Sequence, residues 1–186
     1  MNNALTVLKR VSLVPPDLVR WDRTEADGLC VGFSSDERPL RGAAGLLDWR
    51  LCGAVSRALL GGRLRGDVGE VTLMPSAGRM SFAKILLFGL GPSDEVGEAG
   101  CRAACRLMAV TASRLGLARI AVAPPGRLRD RVSARAALEI LLEEMGAEDG
   151  REMIVIESVA GQREMADVLR RVRPGEFTRD RDAVSG

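Results

Sequence analysis

At 186 residues, 46% hydrophobic and 28% charged, the chain has the length and composition of one globular domain built on one core, neither disordered nor membrane-like. Its net charge of +2, and the scatter of basic residues that are Arg everywhere except Lys9 and Lys84, exclude the concentrated basic surface that nucleic-acid binding needs. His and Tyr are absent and aromatics reach only 3%, so aliphatic residues must build the core and no His-based chemistry is available.

Residues 5–13 alternate loosely between apolar and polar, include β-branched Thr6, Val7 and Val11, and stop at Pro15-Pro16, which predicts an opening strand. Residues 28–33 form a second short apolar strand, closed by Ser34-Ser35-Asp36. Between residues 42 and 60, Leu47, Leu51, Ala54, Val55, Ala58 and Leu59 recur at three- and four-residue steps. That spacing predicts one amphipathic helix with Asp48, Arg50, Ser56 and Arg57 on its polar side, ended by Gly61-Gly62. A strand over residues 70–74 is closed by Pro75, and residues 83–90 are nearly continuous aliphatic sequence, the pattern of a central strand covered on both faces.

That strand leaves through Phe88-Gly89-Leu90-Gly91-Pro92 into a helix expected over residues 94–115. Residues 120–123 make the next strand, again stopped by Pro-Pro. A helix over residues 133–145 places Ala134, Ala137, Leu138, Leu141 and Met145 on one stripe, with Glu139, Glu143 and Glu144 on its solvated side. A strand over residues 153–157 and a helix over residues 162–172 complete the pattern, and from Pro174 a charged tail is expected to be mobile. Strands alternating with helices predict a three-layer α/β domain over residues 1–173. The two opening strands, with no helix read between them, predict a mixed, mostly parallel sheet.

Two loops are candidates for a ligand. The Gly89-Leu90-Gly91 turn joins a central strand to a helix, where α/β proteins hold phosphates on backbone amides. Asp94 and Glu95, read as the first helical turn, would oppose that use because they already answer the helix dipole. The second loop, Gly126-Arg127-Leu128-Arg129-Asp130-Arg131, offers guanidinium groups beside a helix start, with Arg127 and Arg129 as anion partners. The candidate ligand-binding residues are therefore Gly89, Gly91, Arg127 and Arg129. No residue set is assigned to catalysis, metal binding or a cofactor, since the chain lacks a His base and its carboxylates lack metal-ligand spacing. Cys30, Cys52, Cys101 and Cys105 show no Cys-x-x-Cys spacing; Cys101 and Cys105, one helical turn apart, are expected as buried apolar residues. With no apolar signal core and no long apolar run, a reducing cytoplasm is the expected compartment and no membrane partner is expected.

Taken together, Arg38-Pro39-Leu40, the helix bearing Asp48 and Gly53, the link Leu64-Arg65-Gly66-Asp67-Val68-Gly69-Glu70 and the strand Ile85-Leu86-Leu87-Phe88-Gly89-Leu90-Gly91 resemble the N-terminal domain of the leucyl aminopeptidase family. The resemblance covers residues 5–172 and implies a macro-domain-like α/β fold. The family's peptidase chemistry resides in a separate C-terminal domain with two metals and an Asn-Thr-Asp-Ala-Glu-Gly-Arg signature, which this sequence does not contain. A stand-alone, non-catalytic domain is therefore expected, with a binding, assembly or regulatory role towards a separate peptidase catalytic domain or through self-association. The alternative is a nucleotide or ADP-ribose binding module that takes a small phosphate-containing ligand. Macro domains proper use an Asn-Ala-Ala-Asn-like segment for ADP-ribose, and here no Asn follows Asn3.

Overall fold

The computed structural model describes residues 11–146 and 151–172. Its strands are β1 (Val11–Val14), β2 (Gly28–Phe33), β3 (Val71–Pro75), β4 (Lys84–Gly89), β5 (Arg119–Ala123) and β6 (Glu152–Ile156). They form a single sheet ordered β1-β6-β5-β2-β4-β3. Every neighbouring pair is parallel except β3 and β4, which run antiparallel with Val71 opposite Phe88 and Pro75 opposite Lys84. The expected strand residues 5–10 and the expected tail from 174 lie outside the described residues.

The mixed sheet is as expected, but its odd strand is β3 rather than one of the opening pair. A short helix, α1 (Leu18–Asp22), separates β1 from β2, and the two strands do not pair. Asp17 caps α1 by accepting the Arg20 amide at 2.9 Å, and Trp21 anchors it through a fully buried indole packed edge-on against Phe82. Burying a side chain of that size contributes roughly 1.5–3 kcal/mol, enough to hold a five-residue helix that could not stand alone.

The helical segment expected over residues 42–60 is two helices, α2 (Gly42–Arg50) and α3 (Ala54–Leu60). Cys52 at φ 55° and Gly53 at φ 77° occupy the left-handed region and turn the chain between them. Asp48, expected on a solvated face, instead holds the start of α3, its carboxylate accepting the Ser56 amide at 3.0 Å and the Ser56 hydroxyl. The apolar period runs unbroken across the turn because Leu47, Leu51, Val55 and Leu59 all bury against the same face of the sheet.

The remaining helices are α4 (Glu98–Arg114), α5 (Ala134–Met145) and α6 (Val159–Val172). α4 starts later than expected, so Asp94 and Glu95 lie in the turn before it and only Glu98 occupies the first helical turn. α5 follows the expected stripe, and Ser133 caps it by accepting the Ala136 amide at 3.1 Å. Glu143 and Glu144 are not simply solvated: Glu144 receives Arg102 at 2.9 Å and Arg106 at 2.9 Å, tying α4 to α5. Those two arginines hold its carboxyl below the ordinary glutamate value.

The sheet sorts the helices into layers. One face carries Cys30, Leu86, Phe88, Ile120, Val122 and Val155 against α4, α5 and α6; Cys101, Cys105 and Met108 fill the centre of that layer. The other face carries Leu29, Val31, Phe33, Ile85 and Leu87 against α1, α2 and α3. Cys101 and Cys105 are thus core residues, as expected, and burial pushes the neighbouring Cys30 thiol up to about 12. Among the described residues no helix is long and apolar enough to cross a membrane.

Candidate functional site

The chain leaves β2 towards the α2 layer but leaves β4 and β5 towards the α4 and α5 layer, so the loops diverge at the carboxyl ends of these strands. A crevice opens where connections part to opposite faces of a parallel sheet. It measures about 300 Å³ and is lined by the exits of β2 (Phe33, Ser34), β4 (Leu90), β5 (Ala123 to Arg131) and β6 (Ile156, Glu157, Ser158), with Gly42 to Ala44 of α2 as one wall. A side hollow of about 100 Å³ shares Glu37, Arg41, Leu128 and Arg129 with it. Most of the wall is apolar: Phe33, Leu90, Val96, Pro124, Pro125, Leu128 and Ile156.

The β4 exit is closed upon itself. The Gly89 amide donates to the Glu70 carbonyl at 2.8 Å, the Leu90 amide to Phe33 at 3.0 Å and the Gly91 amide to Gly66 at 2.8 Å, while Gly91 accepts from Ser35 at 3.0 Å. Gly89 leaves no room for a side chain, because a Cβ there would sit 2.1 Å from the Asp67 carbonyl oxygen. Gly91 needs its φ of 76°. The next residues complete the corner: Asp36 accepts both the amide and the hydroxyl of Ser93 at 2.9 Å. These Ser93 hydrogen bonds hold the Asp36 carboxyl below its ordinary value. What engages the Gly89 to Gly91 turn is thus neighbouring backbone, not the acidic residues that follow it.

The β5 exit behaves differently. Gly126, at φ 79°, turns the chain against Val132. Arg127 then points inward: its Nε donates to the Glu157 carboxylate at 2.7 Å and its Nη1 to the Val132 carbonyl at 2.6 Å. Glu157 has only 5% of its side chain exposed, and its Oε1 also accepts the amide and hydroxyl of Ser158 at 2.9 Å. This pair makes the crevice floor and fixes the loop. Arg131 is tied to the Asp94 carbonyl. Arg129 is exposed, and its guanidinium makes no hydrogen bond or ion pair with any other described residue; it acts on Asp36 through its charge alone.

Arg41 completes the site and sequence reading missed it. It sits at the N-cap of α2, where its amide donates to Glu37 Oε1 at 2.8 Å while its guanidinium, like that of Arg129, is bound to no other described residue. Burial pushes the Glu37 carboxyl above its ordinary value, against the pull of the Arg41 amide and charge. The only available signal for Arg41 was its place just before an amphipathic run. The structure therefore brings Arg127, Arg129 and Arg41 to one crevice, whereas Gly89 and Gly91 shape its corner from behind Leu90. Among the described residues no group of three or more His, Cys, Asp or Glu side chains is placed to hold a metal ion.

The family profile for the N-terminal domain of the cytosol aminopeptidase family matches residues 30–146. Among solved structures, a Trypanosoma brucei macrodomain in complex with ADP superposes with a TM-score of 0.69 at 12% identity, covering 87% of this chain and 70% of that one. The macrodomain of Mycobacterium tuberculosis DarG gives a TM-score of 0.63 at 16% identity, over 80% of this chain and 98% of that one. A mutant of tomato leucine aminopeptidase gives 0.56 at 19% identity, covering 84% of this chain but only 34% of the enzyme. At such identities the likeness establishes the fold alone. No curated protein matches the chain by sequence.

Proposed function

The chain belongs to the cytosol aminopeptidase N-terminal domain family, and on that premise we propose that it acts as a non-catalytic binding domain. Its ligand is a small phosphate-containing molecule of nucleotide type, held in the crevice at the carboxyl ends of β2, β4, β5 and β6. One observation carries the reading: Arg41 and Arg129, unpaired with any other described residue, converge on a crevice whose walls are otherwise mostly apolar. Such walls accept a flat organic body, and guanidinium groups suit phosphate oxygens because their donors match them two at a time. The fold likeness to a macrodomain in complex with ADP-ribose supports the choice of ligand class.

In this reading the contact expected of the Gly89 and Gly91 amides passes to arginine side chains, and Arg127 serves by holding the loop that presents Arg129. The hydroxyls of Ser93 and Ser158 donate to carboxylates and no His stands near to activate them, which supports binding rather than bond cleavage. Thermal denaturation with ADP-ribose tests this. Ligand at about 100 times its Kd stabilises the bound fold by about 2.7 kcal/mol, a clear rise in Tm, whereas an unchanged Tm at millimolar ADP-ribose ends the nucleotide reading. Metal-dependent hydrolysis of leucyl amides by the pure chain would sink its non-catalytic half.

A second reading, service to a peptidase catalytic domain, is supported by the tomato enzyme, of which the superposed region is only a third. Co-purification of the chain with such a domain, and a change in that domain's turnover when the chain is added, would establish it. Unchanged turnover at saturating chain would remove it.

A further inference from the structure

We infer that Glu37 is the resident anion of the crevice and competes with a ligand's phosphate for Arg41, so that the site takes up a proton on binding and binds more tightly in mild acid. The inference rests on the nucleotide-type reading above and adds the residue that sets how strongly the two guanidinium groups act on a ligand. Glu37 lies in the loop between β2 and α2 and lines both the crevice and its side hollow. Its backbone is held on both sides, the amide donating to the Ser34 carbonyl at 3.4 Å and the carbonyl accepting Arg38 Nη1 at 2.7 Å. Its Oε1 accepts the Arg41 amide at 2.8 Å, while its Oε2 accepts no hydrogen bond from another described residue. The carboxylate thus stands at the start of α2, where negative charge is favoured and where an incoming phosphate is drawn for the same reason.

Two negative groups at one place favour the protonation of whichever can take a proton. Burial already lifts the Glu37 carboxyl above its ordinary value, and the Asp36 charge adds to the lift against the pull of Arg41. A phosphate seated on Arg41 and Arg129 lifts it further, and by linkage a group that gains affinity for its proton on binding makes binding tighter as protons are supplied. The other charged groups around the site do not behave this way. Arg38 and Arg41 on its own side, and Arg127, Arg129 and Arg131 from the β5 exit, keep their protons, as arginine does in proteins. Asp36 is held ionised by Ser93. Glu157 is bound to Arg127, and Asp130 stands 88% exposed beside that same arginine. The chain has no His, so no imidazole contributes between about pH 7 and pH 5.

ADP-ribose is the suitable probe, because its diphosphate is esterified at both ends and keeps the same charge across this range. Titration calorimetry from about pH 7.5 to about pH 5 should show its affinity for the native chain rising about fivefold. Repeating one acid titration in buffers of different ionisation enthalpy should show net proton uptake, a readout that needs no variant. Glu37→Gln keeps an acceptor for the Arg41 amide but carries no charge. It should bind at neutral pH about as tightly as the native chain does in acid, with an affinity independent of pH, and circular dichroism verifies that it is folded. Asp130→Asn should retain the native pH dependence. An affinity that stays flat with pH, the absence of proton uptake, a pH dependence that survives Glu37→Gln or one that vanishes in Asp130→Asn overturns the inference and leaves the nucleotide reading standing. No binding of ADP-ribose at any pH removes both.

Discussion

Two glycine-bearing turns leave strands on either side of β2, and they treat their polar groups in opposite ways. At the β4 exit the amides of Gly89, Leu90 and Gly91 all donate to carbonyls of the protein itself, so the turn works as a corner. At the β5 exit Gly126 serves the same steric purpose, but the loop beyond it divides its arginines: Arg127 is bound to Glu157 and Arg129 stands unpaired among described residues over the crevice. The contrast separates what a turn is built from and what it has left to offer. Glycine permits a backbone path, and where the neighbouring donors end up decides whether that path can receive a ligand.

The two turns should respond differently to substitution, and the largest effect belongs to the corner. Gly89→Ala forces a Cβ against the Asp67 carbonyl and should destabilise the fold by about 3 kcal/mol, read as a lowered urea midpoint. Next comes Glu157→Gln, which leaves the mostly buried Arg127 without its carboxylate and should cost about 2 kcal/mol in the same measurement. Arg129→Gln and Arg41→Gln invert the pattern. Each should change stability by less than about 0.5 kcal/mol yet weaken ADP-ribose binding about tenfold, because neither guanidinium holds another described residue. If Arg129→Gln proved as destabilising as Glu157→Gln, the division between a fixed and an offered arginine would fall.

The smallest effect concerns pH. The Asp36 carboxyl is held below its ordinary value by Ser93, so its contribution is fully present above the unfolded-state pKa and is lost as pH falls through the lower folded-state pKa. Urea midpoints followed from neutral into acid should fall less steeply for Asp36→Asn than for the native chain. Parallel curves would remove Asp36 as the latch of the β4 corner.

The fold was largely legible because its signals are local. Residues 28–33, 83–90 and 120–123 are apolar runs bounded by turn residues, and Ser133 stands where a helix cap should. The break between α2 and α3 was hidden because both helices bury the same face and the apolar period never falters; only Gly53 marked it. The late start of α4 was hidden because Asp94 and Glu95 have the composition of a first turn without its geometry. Much less of the site could be read. Arg127 and Arg129 were visible as a cluster, but their different fates depend on Glu157 arriving from β6, and Arg41 joins them only because the sheet order sets β2 beside β5. Contacts of that kind are made by topology, and no local pattern of residues encodes them.

Titration calorimetry of ADP-ribose into the native chain and into Arg41→Gln/Arg129→Gln tests the central claim most directly. A saturable heat for the native chain that disappears in the double variant, with the variant's Tm unchanged, is the predicted result. Equal binding by the two proteins, or no heat from the native chain at millimolar ligand, would contradict it.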